Sequence, residues 1–353
     1  MKINYFLIFF ICIFILIILV ERFFYYKNKQ LIEYVKPHWF YSPTSFPYED
    51  FKCTPSRLDK YTTLVKNGYK LMKNKKIIFG GLCMNIENNI TRLKERILQL
   101  GSHFSSFKCV IFENDSTDST RTLLNYMCNT HDDFVLVPCP ENKNCILGNT
   151  PATSDGIISE KRMKKMASYR NRLLAYILEK FPDYDYICFI DFDIYGPISQ
   201  DGFAHSFGLE NDWDSVSAFS LSSATLSFGK MFYYDLLAYD DNTNYNIIFN
   251  YLRILYKTSK YTIGDDLINA SGFAGLSIYK MKIFIDNPHI NYTPVDDTYI
   301  CEHIILHKNM QRNGFDKIFI NPSMIILVGP QGDSSTYPIY WNIKSAANSG
   351  RAI

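Results

Sequence analysis

The chain has 353 residues, is 47% hydrophobic and 20% charged, and carries a formal net charge of +2. These are the values of a globular protein with a sizeable core. They exclude a disordered or low-complexity chain and give no reason to expect nucleic acid as a partner. The 27 Phe and 26 Tyr suit carbohydrate surfaces, but an AT-rich coding sequence inflates the same residues, and composition takes the larger share.

The first segment with a clear reading is Phe6 to Val20, an uncharged apolar run that Phe23 to Tyr26 extend. It predicts a transmembrane signal anchor over residues 5–26 behind a short tail of residues 1–4. No small-x-small cleavage site follows, since the flank reads Glu21-Arg22-Phe23-Phe24. An uncleaved anchor is therefore favoured over a signal peptide. Lys2 lies on one side and Arg22, Lys27 and Lys29 on the other, so the distribution of positive charge does not fix the orientation.

Residues 27–70 read as a polar, aromatic stem without a strong period. A β/α alternation then opens a domain expected over 71–330, followed by a tail of residues 331–353. Lys76 to Cys83 is a buried strand. Ile90 to Leu100 is a helix with Asn88 or Asn89 as cap and Gly101 as stop. Phe107 to Glu113 is a strand, residues 118–129 a helix, and Asp133 to Val137 a strand. An Asn-, Pro- and Gly-rich loop over 139–159 precedes a long helix over 160–180. Tyr184 to Ile190 is the fourth strand and runs into Asp191-Phe192-Asp193. Strands alternating with helices predict a mostly parallel central sheet covered on both faces, an α/β fold of Rossmann-like character. Ligands in such sheets bind beyond the carboxyl ends of the strands, where both acidic motifs fall.

Nine cysteines include no CxxC pair, which argues against a structural zinc site. Cys83, Cys109 and Cys188 sit in or beside apolar strands and read as buried thiols, while Cys139 and Cys145 flank a polar loop and could pair in an oxidising lumen. Glycosylation sequons fall at Asn89, Asn269 and Asn291, and a fourth, Asn114, lies inside an acidic motif.

Four constellations carry chemistry. Asp191 and Asp193 are i and i+2 past an apolar strand, so their carboxylates point together and repel unless a cation lies between them. Mg²⁺ or Mn²⁺ takes such oxygens together with substrate phosphates. The run Glu113 to Thr120 (ENDSTDST) places Glu113 and Asp115 where they can accept hydrogen bonds from a nucleotide. Its Thr117 or Asp118 would also cap the next helix, so part of the run is structural whatever the function. Arg170 falls on the apolar stripe of its helix, with Met163, Met166 and Leu173, and a guanidinium there needs an anion, either a carboxylate or a phosphate. Lys161, Arg162, Lys164 and Lys165 read as the solvated start of that helix. In Cys301-Glu302-His303, Glu302 could serve as general base and neutral His303 as a further metal ligand, against the plain alternative of a surface pair.

The ordered set VIFENDSTDST, ASYRN, CFIDFDIYG, WDSVSAF, FYYDLLAYD, SGFAGLSIYK, CEHIILH and IFINPS resembles GT-A-type glycosyltransferases, in particular the group similar to capsule-associated α-mannosyltransferases. The resemblance covers roughly residues 76–325. It implies a GT-A fold, Mn²⁺ or Mg²⁺, a GDP- or UDP-sugar donor, and a glycan or glycoprotein acceptor. By position it implies metal and diphosphate roles for Asp191 and Asp193, with Asp193 also catalytic. Donor contacts are implied for Glu113, Asp115, Arg170 and Asn171. An acceptor side is implied for Tyr234, Asp235, Gly275, Glu302 and His303. With the anchor, this describes a single-pass enzyme of the ER, Golgi or a host membrane, its catalytic domain in the lumen. The alternatives are a membrane-tethered binding protein that keeps the fold without catalysis, and a nucleotidyltransferase. The latter is disfavoured because residues 79–85 lack the basic residue of its glycine-rich loop.

Overall fold

The computed structural model describes residues 42–138, 160–223, 231–243, 247–297 and 300–328. The expected anchor over 5–26, the pair Cys139 and Cys145, and the tail over 331–353 lie outside the described residues. No helix among the described residues is long and apolar enough to cross a membrane.

Helix α1 (Leu58–Met72) leads into strand β1 (Lys76–Cys83), α2 (Ile90–Gly101), β2 (Ser106–Glu113), α3 (Thr120–Thr130) and β3 (Phe134–Leu136). Next come α4 (Glu160–Lys180), β4 (Tyr186–Ile190), α5 (Gln200–Gly208), β5 (Ser215–Ser223), β6 (Met231–Tyr233), α6 (Ile247–Thr258) and β7 (Ile268–Asn269). The last elements are β8 (Leu276–Lys280), α7 (Met281–Asp286), α8 (Glu302–Arg312) and β9 (Ile318–Leu327). The sheet order is β3-β2-β1-β4-β8-β5-β9-β7, with β6 paired to β5. Strands β1, β2, β3, β4, β5 and β9 run one way and β6, β7 and β8 the other. The sheet is thus mixed but mostly parallel in direction, as expected.

Strand pleating sends alternate residues to two cores. Ile77 and Phe79 join Met72, Leu93, Leu124 and Phe203 under α1, α2, α3 and α5. Ile78, Val110 and Phe189 face α4, α7 and α8 through Leu173, Ile177, Phe284 and Leu306. A third cluster, with Phe219, Tyr239, Ile254 and Ile320, fills the β5–β9 end. Cys83, Cys109 and Cys188 are buried free thiols.

Two expectations are corrected. The segment expected as stem contains α1, whose Val65 and Met72 are buried, with Phe46 and Phe51 buried upstream. A Cβ on Gly68 would lie 1.7 Å from the Ala204 carbonyl oxygen, and one on Gly208 would lie 2.2 Å from that of Leu64. Only glycine at both places lets α1 lie this close on α5, so the packed fold begins upstream of residue 71. The second correction concerns Asn89. It is the N-cap of α2 by position, but its side chain makes no cap bond. Instead its amide donates to the carbonyls of Phe192 (2.5 Å) and Ile194 (3.0 Å). It is 3% exposed and so cannot be the glycan acceptor the sequon suggested. Asn114 is buried as well, Asn269 is exposed on β7, and Asn291 is half-buried.

Candidate active site

After β3 the chain returns to place β4 on the opposite flank of β1, so the strand order reverses between β2 and β4. A crevice opens beyond the carboxyl ends of strands at such a point. Glu113 is the last residue of β2, and Asp191 follows the last residue of β4.

Phe192 is fully buried and anchors the turn in the core, which leaves its two acidic neighbours to face the crevice. The Asp191 backbone N–H donates to the Gly275 carbonyl (2.8 Å). Arg170 comes off α4 at 2% exposure. Its Nη2 lies 3.2 Å from Asp191 Oδ1 and its Nε 3.5 Å from Glu302 Oε1, while Nη1 has no hydrogen-bond partner among the described residues. The guanidinium sits over the Phe273 ring, 5.0 Å from its centre. The anion that Arg170 required is therefore a carboxylate pair, with one donor left over.

Burial raises the pKa of Asp191, with Asp193 and Asp235 adding to the rise and Arg170 opposing it. The Asp193 carboxylate opens to the surface, yet protein crowds its surroundings enough to raise its pKa too. Burial pushes Asp235 up to about 6, and Glu302 adds to the rise. Asp235 follows β6 in a left-handed conformation (φ 67°), which Asp tolerates better than most residues. Arg96 of α2 lies fully buried on the other side of the turn and feels the charge of Asp193. Four carboxylates therefore share two buried guanidinium groups, an excess of two negative charges that one divalent cation matches.

The donor set fits a cation held by Asp191 and Asp193 with oxygens supplied by a ligand. It does not include His303. Among the described residues no three His, Cys, Asp or Glu side chains form a group able to hold a metal. The His303 ring is stacked on Phe273, 3.5 Å between centres at an interplanar angle of 10°, and meets Tyr292 edge-on. Its Nε2 lies 3.6 Å from Glu302 Oε1. Burial, with Arg170 and His307 adding, pushes its pKa well down and keeps it neutral.

The ENDSTDST run is more structural than expected. Glu113 pairs with Arg121 and accepts from the Ser116 N–H (2.9 Å). Asp118 accepts from the Thr120 N–H (3.0 Å) in place of a cap by Thr117. Ser116 and Thr120 hydroxyls accept from the N–H groups of Asn85 and Ile86, while Asn85 and Glu87 side chains accept from those of Thr117 and Ser119. Asp115 (φ 55°) takes Tyr169 Oη at 2.9 Å and Lys165 at 3.3 Å on one oxygen, and its other oxygen is buried without a partner. Of this run, Asp115 keeps an acceptor for a ligand, and Lys165 belongs to the site instead of a solvated helix start. Asn171 is a correction: its amide donates to Thr293 Oγ1 (3.0 Å) and accepts from the Tyr292 N–H (2.8 Å), so it clamps this segment. Tyr234 is half-buried beside Asp235, its N–H donating to the Ser220 carbonyl at 2.8 Å. Gly275 (φ 80°) lies against Asp191, with its missing Cβ 3.8 Å from Asp191 Oδ2, so it belongs to the carboxylate pair as much as to an acceptor side.

Sequence reasoning missed Phe273, Tyr292 and Arg96. Arg96 carries the signal used for Arg170, since it lies on the face of Leu93, Ile97 and Leu100. A separate cavity of about 290 Å³, lined by Lys60, Tyr61, His205 and Asp212, also touches Phe319 at the amino end of β9. It lies at the opposite edge of the sheet from the acidic cluster.

No protein-family model and no curated protein matches the chain. Solved structures do. The mannosyltransferase PcManGT from Pyrobaculum calidifontis, solved with GDP-Man and Mn²⁺, is 13% identical at a TM-score of 0.44, over 80% of this chain and 68% of that one. Glucosyl-3-phosphoglycerate synthase from Mycobacterium tuberculosis, solved with Mn²⁺, UDP and phosphoglyceric acid, is 14% identical at 0.41, over 77% and 75%. S. aureus TarS 1-349 with UDP-GlcNAc is 13% identical at 0.40, over 74% and 61%. Likeness at this level assigns neither activity nor substrate, and the functional argument rests on the site.

Proposed function

We propose that the chain is a metal-dependent glycosyltransferase of the GT-A type. It moves a sugar from a GDP- or UDP-sugar to a glycan or glycoprotein acceptor and is held to a secretory or host membrane by residues 5–26. A hexosyl, mannosyltransferase-like activity is the specific form suggested by the motif order. The observation that carries the reading is the crowded acidic cluster at the strand-order reversal, with an excess of two negative charges.

A bound Mn²⁺ or Mg²⁺ would neutralise charge growing on the diphosphate leaving group. Asp191 and Asp193 hold it. The free Nη1 of Arg170 donates to a diphosphate oxygen, and its ion pairs keep the guanidinium charged against the cost of burial. The unpartnered oxygen of Asp115 accepts from the donor nucleotide. Glu302, at the start of α8, faces the acceptor and takes the hydroxyl proton if the configuration inverts. If it is retained, Glu302 orients the acceptor.

The test is sugar transfer from GDP- and UDP-sugars by the full chain, with Mn²⁺ and with chelator. Asp191→Asn and Asp193→Asn should each lower transfer on the order of 10²–10³-fold. Activity indifferent to both substitutions would refute the metal role. Folded protein without metal-dependent donor binding would establish the non-catalytic alternative.

A further inference from the structure

Helix α2 directs three side chains at one stretch of backbone. Asn89, Arg92 and Arg96 are spaced i, i+3 and i+7 and so share a face. Asn89 holds the carbonyls of Phe192 and Ile194, Arg96 Nη2 donates to Ile194 O (2.5 Å), and Arg92 Nη1 donates to Tyr195 O (3.2 Å). Every one of these carbonyls belongs to the turn that carries Asp191 and Asp193. The Arg92 guanidinium also lies over the Tyr195 ring, 5.7 Å from its centre.

Arg96 is costly where it is. Its Nε and Nη1 are buried without partners, and no carboxylate pairs with it. Burial pulls its pKa down to about 9, with Arg92 adding and Asp193 opposing, so it stays charged at neutral pH. A buried guanidinium resting on one carbonyl is worse for stability than an apolar side chain of similar volume. The rest of the helix face, Leu93, Ile97 and Leu100, shows that the apolar choice was available.

We infer that Arg96, with Asn89 and Arg92, is the positioning group of the cation site: from outside the coordination sphere it fixes the turn that presents Asp191 and Asp193. The inference rests on the cation role proposed above. It makes a prediction whose sign is informative. Removing a positive charge near two carboxylates would, by charge alone, tighten cation binding. Loosening the turn would weaken it, and loss of an outer partner of metal ligands typically costs 10–100-fold in affinity.

The experiment is Mn²⁺ binding by electron paramagnetic resonance, paired with hydrogen exchange of residues 191–196 in metal-free protein. It compares the full chain with Arg96→Met, Arg96→Lys and Asp191→Asn. Arg96→Met should weaken Mn²⁺ at least tenfold and accelerate exchange in 191–196 while amides of β1 stay protected. Arg96→Lys should recover part of both effects. Unchanged or tighter Mn²⁺ binding in Arg96→Met, with unchanged exchange, overturns the inference. Should Arg96→Met not fold, Asn89→Ala and Arg92→Ala remove donors to the same carbonyls and must show the same selective pattern, or the inference fails. Wild-type protein that takes up no Mn²⁺ sinks the cation reading and the inference with it. Binding that Asp191→Asn abolishes but Arg96→Met leaves intact sinks the inference alone.

Discussion

Gly275 holds a φ of 80°, and a Cβ there would stand 2.9 Å from Ile194 Cδ1. Its carbonyl also takes the Asp191 N–H. Gly275→Ala therefore adds left-handed strain of about 1–3 kcal/mol and pushes on the residue that α2 grips. The expected result is a lowered urea midpoint together with weakened Mn²⁺ binding. A stability loss with Mn²⁺ affinity unchanged would show that the turn tolerates the shift. Arg170 calls for a different expectation. Its removal leaves Asp191 and Glu302 without their cation in a buried setting, and breaking such a pair from one side costs about 3–5 kcal/mol. Arg170→Met should be strongly destabilised in the metal-free protein, and Mn²⁺ should restore part of the loss by supplying the missing charge. Equal destabilisation with and without Mn²⁺ would show that the guanidinium and the cation do not share the Asp191 carboxylate.

Two buried histidines tie elements together. His307 joins α8 to the sheet, with Nδ1 2.7 Å from Ser271 Oγ and Nε2 2.9 Å from Tyr279 Oη. His205 joins α5 to β9 through Asn321 (3.2 Å). Burial pulls the first down to about 3 and the second down to about 4. The unfolded chain protonates histidine near 6.5, so below that pH it binds protons the fold refuses. Stability is full above 6.5 and falls as pH drops towards the folded values, by roughly 3 kcal/mol for His205. Asp235, raised to about 6, acts in the opposite sense over part of this window. A double difference removes it. His307→Gln should be less stable than wild type at pH 7, and the gap in urea midpoint should narrow as pH falls from 6.5 to 4.5. A constant gap would mean that His307 is not a neutral tie between these elements. These ties also mark where the sequence was legible. Strands β1, β2 and β4 read as unbroken apolar runs because helices cover both their faces. Past residue 190 the motifs were visible but the strands were not. Strands β5 and β8 bury Ser215, Ser217, Ser220 and Ser277, and β9 buries Asn321 and Ser323. Ser217 and Ser277 satisfy each other at 2.5 Å, a partnership across the sheet that no local pattern announces.

Across the molecule, the acidic residues at positions 191 and 193 and the inward Arg170 were legible from strand and helix periodicity, which is local. What periodicity could not supply was the assignment of partners across the sheet. Asn171 and Asn89 were expected at the surface or the ligand and are instead clamps between segments more than 100 residues apart. His303 was expected on the metal and is held by Phe273 and Tyr292. That last difference sets the binding order. With two carboxylates and no third side chain, a cation here takes the rest of its shell from water or from ligand phosphates. A diphosphate arriving alone meets the excess negative charge of the cluster. Each ligand therefore improves the site for the other, and the coupling is reciprocal. Mn²⁺ alone and GDP or UDP alone should each raise the melting temperature little. Mn²⁺ with the correct nucleotide, at a hundred times its dissociation constant, should add about 2.7 kcal/mol. At about 2–4 °C per kcal/mol for a domain near this size, that is a rise of roughly 5–10 °C. Asp193→Asn should remove the synergy while leaving the unliganded melting temperature close to wild type, because its carboxylate opens to the surface and makes no ion pair among the described residues. Additive shifts from metal and nucleotide would place them at separate sites and refute the shared one.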